Sequence, residues 1–218
     1  MSPTAGKFQL AHHWSSPEQQ LSAGKLGMWL FLGQEVLFFS GVFCAYTIYR
    51  NLHPEVFVNA HRFLDVRLGV FYTVLLLFSS LTMALAIRAA QVENKKGIQL
   101  NLILTILCGL GFAVVKGWEW SGKISHGLVW GGDFSAYNLE AIPNPDQLHV
   151  FFGIYFTMTA LHALHVMIGV GLLVWMLLRA NKGEFGPHKF APLEITGLYW
   201  HIVDVIWIFL FPLLYLIH

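Results

Sequence analysis

The sequence predicts an all-α protein that forms a single integral membrane bundle of five transmembrane helices. Only 11% of the 218 residues are Asp, Glu, Lys or Arg, whereas a soluble domain carries about 25%. Hydrophobic residues make up 56% of the chain, and their long runs lack the alternating pattern of a membrane β-barrel. A lipid-exposed backbone must then satisfy its hydrogen bonds within helices. This composition excludes a disordered chain, a disulfide scaffold and an ordinary soluble enzyme.

The chain divides into a polar N-terminal tail at residues 1–25 and a transmembrane domain at residues 26–218. We do not expect the tail to be a signal peptide, because the first apolar run begins only near Leu26 and continues for the length of a membrane span. The net charge of +1, without a long basic run, excludes a nucleic-acid partner. Five apolar runs predict the spans 26–49, 68–87, 98–120, 148–178 and 193–217.

The connections between these spans are polar and rich in Gly and Pro. We expect a polar loop at residues 50–67, a short basic turn at 88–97, a long loop at 121–147 and a Gly- and Pro-containing loop at 179–192. The fourth run, at about 46 Å of helix, is longer than the hydrocarbon core. That helix should therefore tilt or project beyond the bilayer.

Basic residues predict the orientation, because cytoplasmic loops carry an excess of Lys and Arg. The face that includes the N-terminal tail holds eight of them: Lys7, Lys25, Arg88, Lys95, Lys96, Arg179, Lys182 and Lys189. The opposite face holds four: Arg50, Arg62, Arg67 and Lys123. We therefore expect a cytoplasmic N-terminus and a C-terminus outside.

Several ionisable side chains fall inside the predicted spans, where each costs about 2.5–3.5 kcal/mol to insert. They are Glu35 in the first span, Lys116 and Glu119 at the outer end of the third, His162 and His165 in the fourth, and His201 and Asp204 in the fifth. The pairs in the last three spans have i,i+3 spacing, which places both members on one side of a helix. We expect Lys116 to pair with Glu119, and Asp204 to be the partner of His201 and necessary for assembly.

Three interpretations of this set remain open from the residues alone. Histidines and carboxylates on facing helices can build a di-iron site, although the repeated Glu-x-x-His of such bundles is missing. A proton relay through Glu35, the histidines and Asp204 is the second interpretation. The third is a set of interhelical hydrogen bonds that holds the bundle together, each contributing about 0.6–2 kcal/mol. Glycines such as Gly109 and Gly169 favour close helix packing.

Five stretches, one in each span, carry a resemblance to a known family. They are residues 27–39 (GMWLFLGQEVLFF), 73–84 (TVLLLFSSLTMA), 109–120 (GLGFAVVKGWEW), 155–166 (YFTMTALHALHV) and 199–209 (YWHIVDVIWIF). In this order they resemble the spans of subunit III of haem-copper terminal oxidases. The resemblance extends from about residue 24 to the end of the chain.

The resemblance implies a subunit with no haem or copper of its own, whose partner subunits carry these groups. Its main partner would be subunit I, which reduces oxygen and pumps protons, with subunit II and a small subunit IV nearby. The implied role is to sustain proton uptake into subunit I and to protect its active site during turnover. Glu35 matches the family's buried carboxylate, and Arg179 stands where a basic residue could bind a lipid phosphate. Bound phospholipid and the bacterial cytoplasmic membrane are further expectations.

The family also has a seven-span form, relative to which this chain begins at the third span, so another subunit would have to complete the lipid cleft. Five-span members include quinol oxidase subunits III and relatives associated with nitric oxide reductase. A proton-coupled transporter is the alternative from a different class. Transporters usually show inverted repeats and broken helices, and neither pattern is found in this sequence.

Overall fold

The computed structural model describes residues 16–129, 148–187 and 189–217, and this part of the chain is helical without strands. Its helices are α1 (Pro17–Leu52), α2 (Pro54–Ala60), α3 (Val66–Gln91), α4 (Lys95–Ser125), α5 (Leu148–Asn181) and α6 (Ala191–Tyr215), with a 3-10 turn at His61–Phe63. All except α2 are long and apolar enough to cross a membrane, with mean hydropathies from 1.5 to 2.2. The prediction of an all-α protein with five membrane helices is confirmed.

Three helices begin where a polar side chain caps the first turn. Ser16 Oγ accepts the N–H of Gln19 at 3.2 Å, and the Asp65 and Asn94 side chains play the same role for α3 and α4. Because Ser16 caps α1 and Pro17 fits its first turn, this helix begins before the predicted start of the first span. Residues 17–25, predicted as tail, are thus helical.

The predicted polar loop at residues 50–67 is instead mostly ordered into α2 and the 3-10 turn. Pro54 suits the first turn of α2, and the buried Phe57 attaches this short helix to the bundle. The Phe57 ring lies edge-on to Tyr46 of α1 at 5.4 Å and to Phe151 of α5 at 5.2 Å. The sequence pattern missed α2 because its apolar face is only one turn long. Most of the predicted 121–147 loop lies outside the described residues.

Helices α3, α4, α5 and α6 form the compact body of the bundle, and α1 lies at its edge. α3 packs against α4 and α6, α5 packs against α4 and α6, and α1 touches mainly α6. In the most apolar 18-residue stretch of α6, half of the residues are buried inside the bundle, whereas only 17% are buried in the corresponding stretch of α1. A large lipid-facing or partner-facing surface therefore remains on α1.

The indole of Trp200 on α6 fits between two glycines of neighbouring helices. A Cβ added to Gly109 of α4 would lie 2.8 Å from the Trp200 ring, and one added to Gly169 of α5 would lie 2.7 Å from it. These glycines therefore let α4 and α5 approach a fully buried Trp200. This contact fixes the position of the α6 segment that carries His201 and Asp204.

Candidate functional site

Glu35 of α1 and His165 of α5 meet at membrane depth. Glu35 Oε2 lies 3.0 Å from His165 Nε2, and the Glu35 residue is 8% exposed. This is an ion-pair distance, although the approach does not satisfy the angular criteria of a hydrogen bond. The edge helix is thereby linked to the body of the bundle through two ionisable side chains.

The other ring nitrogen of His165 determines where its protons reside. His165 Nδ1 lies 2.7 Å from the carbonyl oxygen of Leu161, which can only accept, so Nδ1 carries a proton. In the neutral ring Nε2 is then an acceptor that faces Glu35 Oε2. Two acceptors at 3.0 Å repel each other, so a proton on either Glu35 Oε2 or His165 Nε2 would stabilise this contact.

Aromatic side chains enclose this pair. The Phe39 ring lies edge-on to the His165 ring at 5.2 Å, and Phe38 lies 6.1 Å from it. The hydroxyl of Tyr199 on α6 donates to the backbone carbonyl of His165 at 3.0 Å. The pair is therefore located where α1, α5 and α6 meet.

A second polar cluster lies near the C-terminal end of α4. Lys116 Nζ lies 2.9 Å from Glu119 Oε2, so this predicted pair is formed, and Lys123 Nζ lies 3.2 Å from Glu119 Oε1. Lys123 also donates to the backbone carbonyl of Phe63 at 3.3 Å. With Lys116 only 1% exposed, the three charged groups form a buried network.

Three tyrosines from three other helices complete this network. Tyr72 of α3 donates to Glu119 Oε2 at 2.9 Å, Tyr155 of α5 donates to Oε1 at 2.8 Å, and Tyr215 of α6 donates to Oε1 at 3.1 Å. Lys116 Nζ donates to Tyr155 Oη at 3.0 Å and Tyr215 Oη at 2.7 Å. All three N–H donors of Lys116 therefore have acceptors. The network links the four helices α3, α4, α5 and α6.

His162 and His165 of α5 face different surroundings. His162 is fully buried, and its ring packs against Phe112 at 5.3 Å and Trp207 at 5.2 Å. Neither ring nitrogen of His162 has a hydrogen-bond partner among the described residues. His165 faces α1 instead, so the shared direction predicted from their spacing does not give them a common site.

His201 and Asp204 of α6 do not pair directly, contrary to the prediction from their spacing. His201 Nδ1 lies 2.7 Å from Ser80 Oγ of α3. Asp204 is 3% exposed, and its carboxyl forms no hydrogen bond of normal geometry within the described part of the chain.

Arg179 lies at the end of α5 with its guanidinium partly engaged. Its Nε donates to Glu184 Oε2 at 2.7 Å, and the guanidinium carbon lies 5.5 Å from the Trp175 ring and 5.4 Å from the Phe185 ring. Its predicted role in lipid binding stays a prediction.

An apolar groove of about 300 Å³ separates parts of α1 and α5. Its lining consists of Val42, Ala45, Tyr49, His149, Val150, Gly153, Ile154 and Thr157.

In the described residues, no three His, Cys, Asp or Glu side chains come close enough to hold a metal ion. The polar clusters and this groove are thus separate features.

The residues that the sequence singled out do not form one common site. Glu35 and His165 meet, Lys116 and Glu119 meet, and His162, His201 and Asp204 have other neighbours. The three tyrosines and Lys123 around Glu119 were missed. The i,i+4 spacing of Lys123 from Glu119 could have revealed that contact, whereas the tyrosines depend on how the other helices are rotated.

Comparison with known families gives a match over residues 8–218 to the model described as cytochrome c oxidase subunit III. This range includes all five membrane helices and both polar clusters. The chain belongs to the cytochrome c oxidase subunit III family. The resemblance carried by the five spans is thus confirmed, and with it the role of an oxidase subunit III.

Relatives of this subunit III occur in oxidases of more than one kind. Quinol oxidase subunit 3 of Bacillus subtilis is 30% identical over 91% of this chain and 91% of its own length. Cytochrome c oxidase subunit 3 of the same organism is also 30% identical, over 96% of this chain and 95% of its own. Heme-copper oxidase subunit I+III of Aeropyrum pernix is 28% identical over 94% of this chain but only 24% of its own length.

The family and the helices together show an integral membrane protein that associates with other oxidase subunits. As a subunit III, the chain places Glu35 in its first membrane helix at the contact with His165. The chemistry of this pair and its place at a helix junction make it the candidate functional site.

Proposed function

We propose that this subunit III sustains proton uptake by subunit I and protects its active site during turnover, without redox groups of its own. Haem and copper would be held by the partner subunits. The observation that carries the proposal is the Glu35–His165 pair, which can hold one proton at the junction of α1 and α5. We propose that the Glu35–His165 pair supports proton uptake by subunit I from its position in this chain and is not itself a step of the uptake path.

Subunit I is the proposed main partner, with subunit II and a small subunit IV beside it. The Aeropyrum pernix relative supports subunit I as the main partner, because its name combines subunits I and III in one chain. The broad exposed face of α1 offers a surface for a partner helix. We place the complex in the bacterial cytoplasmic membrane with the N-terminus inside, as the basic residues near the helix ends favour.

Phospholipid has two proposed positions in this subunit. The terminal nitrogens of Arg179 could bind a phosphate at the cytoplasmic end of α5, beside the contact with Glu184. The apolar groove between α1 and α5 could hold an acyl chain toward the other face. Exchange of Arg179 for Gln should lower the lipid that copurifies, if the first position is occupied.

Cytochrome c is the proposed electron donor of the complex, because the matching family model is described as cytochrome c oxidase subunit III, and quinol is the alternative. The relatives support both, since a quinol oxidase subunit and a cytochrome c oxidase subunit are each 30% identical to this chain. Purification of the complex through a tag on this chain would identify its subunits and haem types. Oxygen consumption with each donor then distinguishes the two oxidases.

The same purification tests the wider proposal. Copurification of a haem-containing subunit I with oxygen-reducing activity would support it. Recovery of the chain alone from active membranes, with no haem protein attached, would contradict it. Stoichiometric iron in the isolated chain would instead favour a metal enzyme.

A further inference from the structure

Asp204, Ser80 and His201 form a short series of polar groups between α3 and α6. Ser80 Oγ lies 2.7 Å from His201 Nδ1. The hydroxyls of Ser79 and Ser80 lie beside the Asp204 carboxyl, yet neither carboxyl oxygen completes a hydrogen bond of normal geometry with the described residues. Buried polar groups are nearly always hydrogen-bonded, so this carboxyl needs an explanation.

The Ser79 hydroxyl is not available as a hydrogen-bond donor to the Asp204 carboxyl. The Ser79 hydroxyl donates to the backbone carbonyl of Leu76 at 2.7 Å and accepts the indole N–H of Trp200 at 3.0 Å. Its single proton is therefore committed to the helix backbone. Ser80 has no such backbone contact among its hydrogen bonds to the described residues, and its hydroxyl lies between Asp204 and His201.

We propose that Asp204, Ser80 and His201 together bind one proton. In this arrangement the protonated Asp204 carboxyl donates to Ser80 Oγ after a small rotation of the side chain. The Ser80 hydroxyl donates to His201 Nδ1, and the neutral His201 ring carries its proton on Nε2. Every donor and acceptor that joins the three residues is then used, and no charge is buried.

The same three residues allow the proton to move. Transfer breaks the Asp204 O–H bond and forms a bond from that proton to Ser80 Oγ, while the original Ser80 proton passes to His201 Nδ1. The products are a carboxylate and an imidazolium joined through the neutral Ser80 hydroxyl, so atoms and charge balance. Ser80 is the positioning residue that replaces the direct contact between Asp204 and His201.

The surroundings favour the neutral arrangement. Among the described residues, the thiol of Cys108 on α4 and the two serine hydroxyls on α3 lie near Asp204. None of them carries a charge that would compensate a carboxylate, and separated charges are costly in an apolar region. His201 is only partly buried, so the series runs from the core to the bundle surface.

Infrared spectroscopy of the full chain, purified with the subunits it retains, tests this proposal. The carbonyl stretching band of a protonated carboxyl is separate from that of a carboxylate, and Asp204→Asn identifies the contribution of Asp204. We expect a protonated band in the wild type that Asp204→Asn removes. Ser80→Ala should shift this band to higher frequency, because the acid loses its acceptor. Ser79→Ala is the matched control and should leave the band in place.

Ser80→Thr keeps a hydroxyl at the same position and should preserve the wild-type band, so the proposal stays testable if Ser80→Ala fails to accumulate. Absence of any protonated band assignable to Asp204 would overturn the proposal. An identical response to Ser79→Ala and Ser80→Ala would also overturn it, as would loss of the band in Ser80→Thr. None of these outcomes depends on the identity of the electron donor.

Discussion

The carboxyl of Glu35 on α1 lies 3.0 Å from the imidazole of His165 on α5. Because α1 has few other contacts with the body of the bundle, this pair is a main polar link between the edge helix and the interior. The Leu161 carbonyl fixes the proton on the far side of the ring, so the pair itself can hold one more. Its partners and depth make it the first target for mutation.

Glu35→Gln should leave assembly intact and change oxidase activity only modestly. The Gln amide can donate to His165 Nε2, so a neutral polar contact replaces the pair of ionisable groups at nearly the same volume. Glu35→Ala is the control that removes the link and should lower the yield of the complex. Oxygen consumption and proton release per electron measure the effect. Loss of proton pumping with normal electron transfer in Glu35→Gln would make the pair part of the pump itself.

Lys116→Met should destabilise the protein strongly, because it leaves Glu119 buried with fewer compensating groups. Removal of one partner of a buried ion pair costs about 3–5 kcal/mol. The double variant with Glu119→Gln removes both charges and should be more stable than the single variant, as thermal unfolding in detergent would show. Lys123→Met is the control with a smaller expected effect, since Lys116 remains. Strict additivity of the single changes would show that the two residues are not coupled.

Gly169→Ala should lower stability by about 1–3 kcal/mol through overpacking. The added methyl would lie 2.7 Å from the fully buried Trp200 ring, which has little room to move. Gly171→Ala on the same helix is the matched control, because no atom outside its own helix backbone and chain neighbours lies within 4 Å of an added Cβ. Equal thermal midpoints for the two variants would mean that the Trp200 contact does not limit packing.

Asp204→Ala should still assemble, which reverses the expectation from its spacing with His201. Ser80 rather than Asp204 is the partner of the His201 ring, so that hydrogen bond survives the change. The thermal midpoint should fall by less than about 4 °C, with a yield near that of the wild type. Disappearance of the variant chain from the membrane would restore a direct role for Asp204 in holding the fold.

The five membrane helices could be predicted from the sequence because run length and apolar content are local properties. The Lys116–Glu119 pair was also accessible, since i,i+3 spacing within one helix allows oppositely charged side chains to meet. The short α2 helix was not, because one apolar turn containing Phe57 resembles a loop. Its order depends on contacts with Tyr46 and Phe151, which lie far away in the chain.

Contacts between helices were the part of the site that the sequence could not provide. His162 and His165 are one turn apart, yet one faces Trp207 and the other Glu35. The positions of the neighbouring helices around α5 decide this division, and no pattern within α5 reports them. The partners of Glu119 on three other helices were missed for the same reason.

The central claim is that this chain sustains proton uptake by an oxidase complex and protects the complex from inactivation during turnover. The most direct measurement compares the purified complex with and without the chain, and counts the turnovers completed before oxygen consumption stops. We predict that the complex without the chain takes up protons more slowly and inactivates after fewer turnovers, and that adding the chain back restores both. Equal proton uptake and equal endurance with and without the chain would contradict the account.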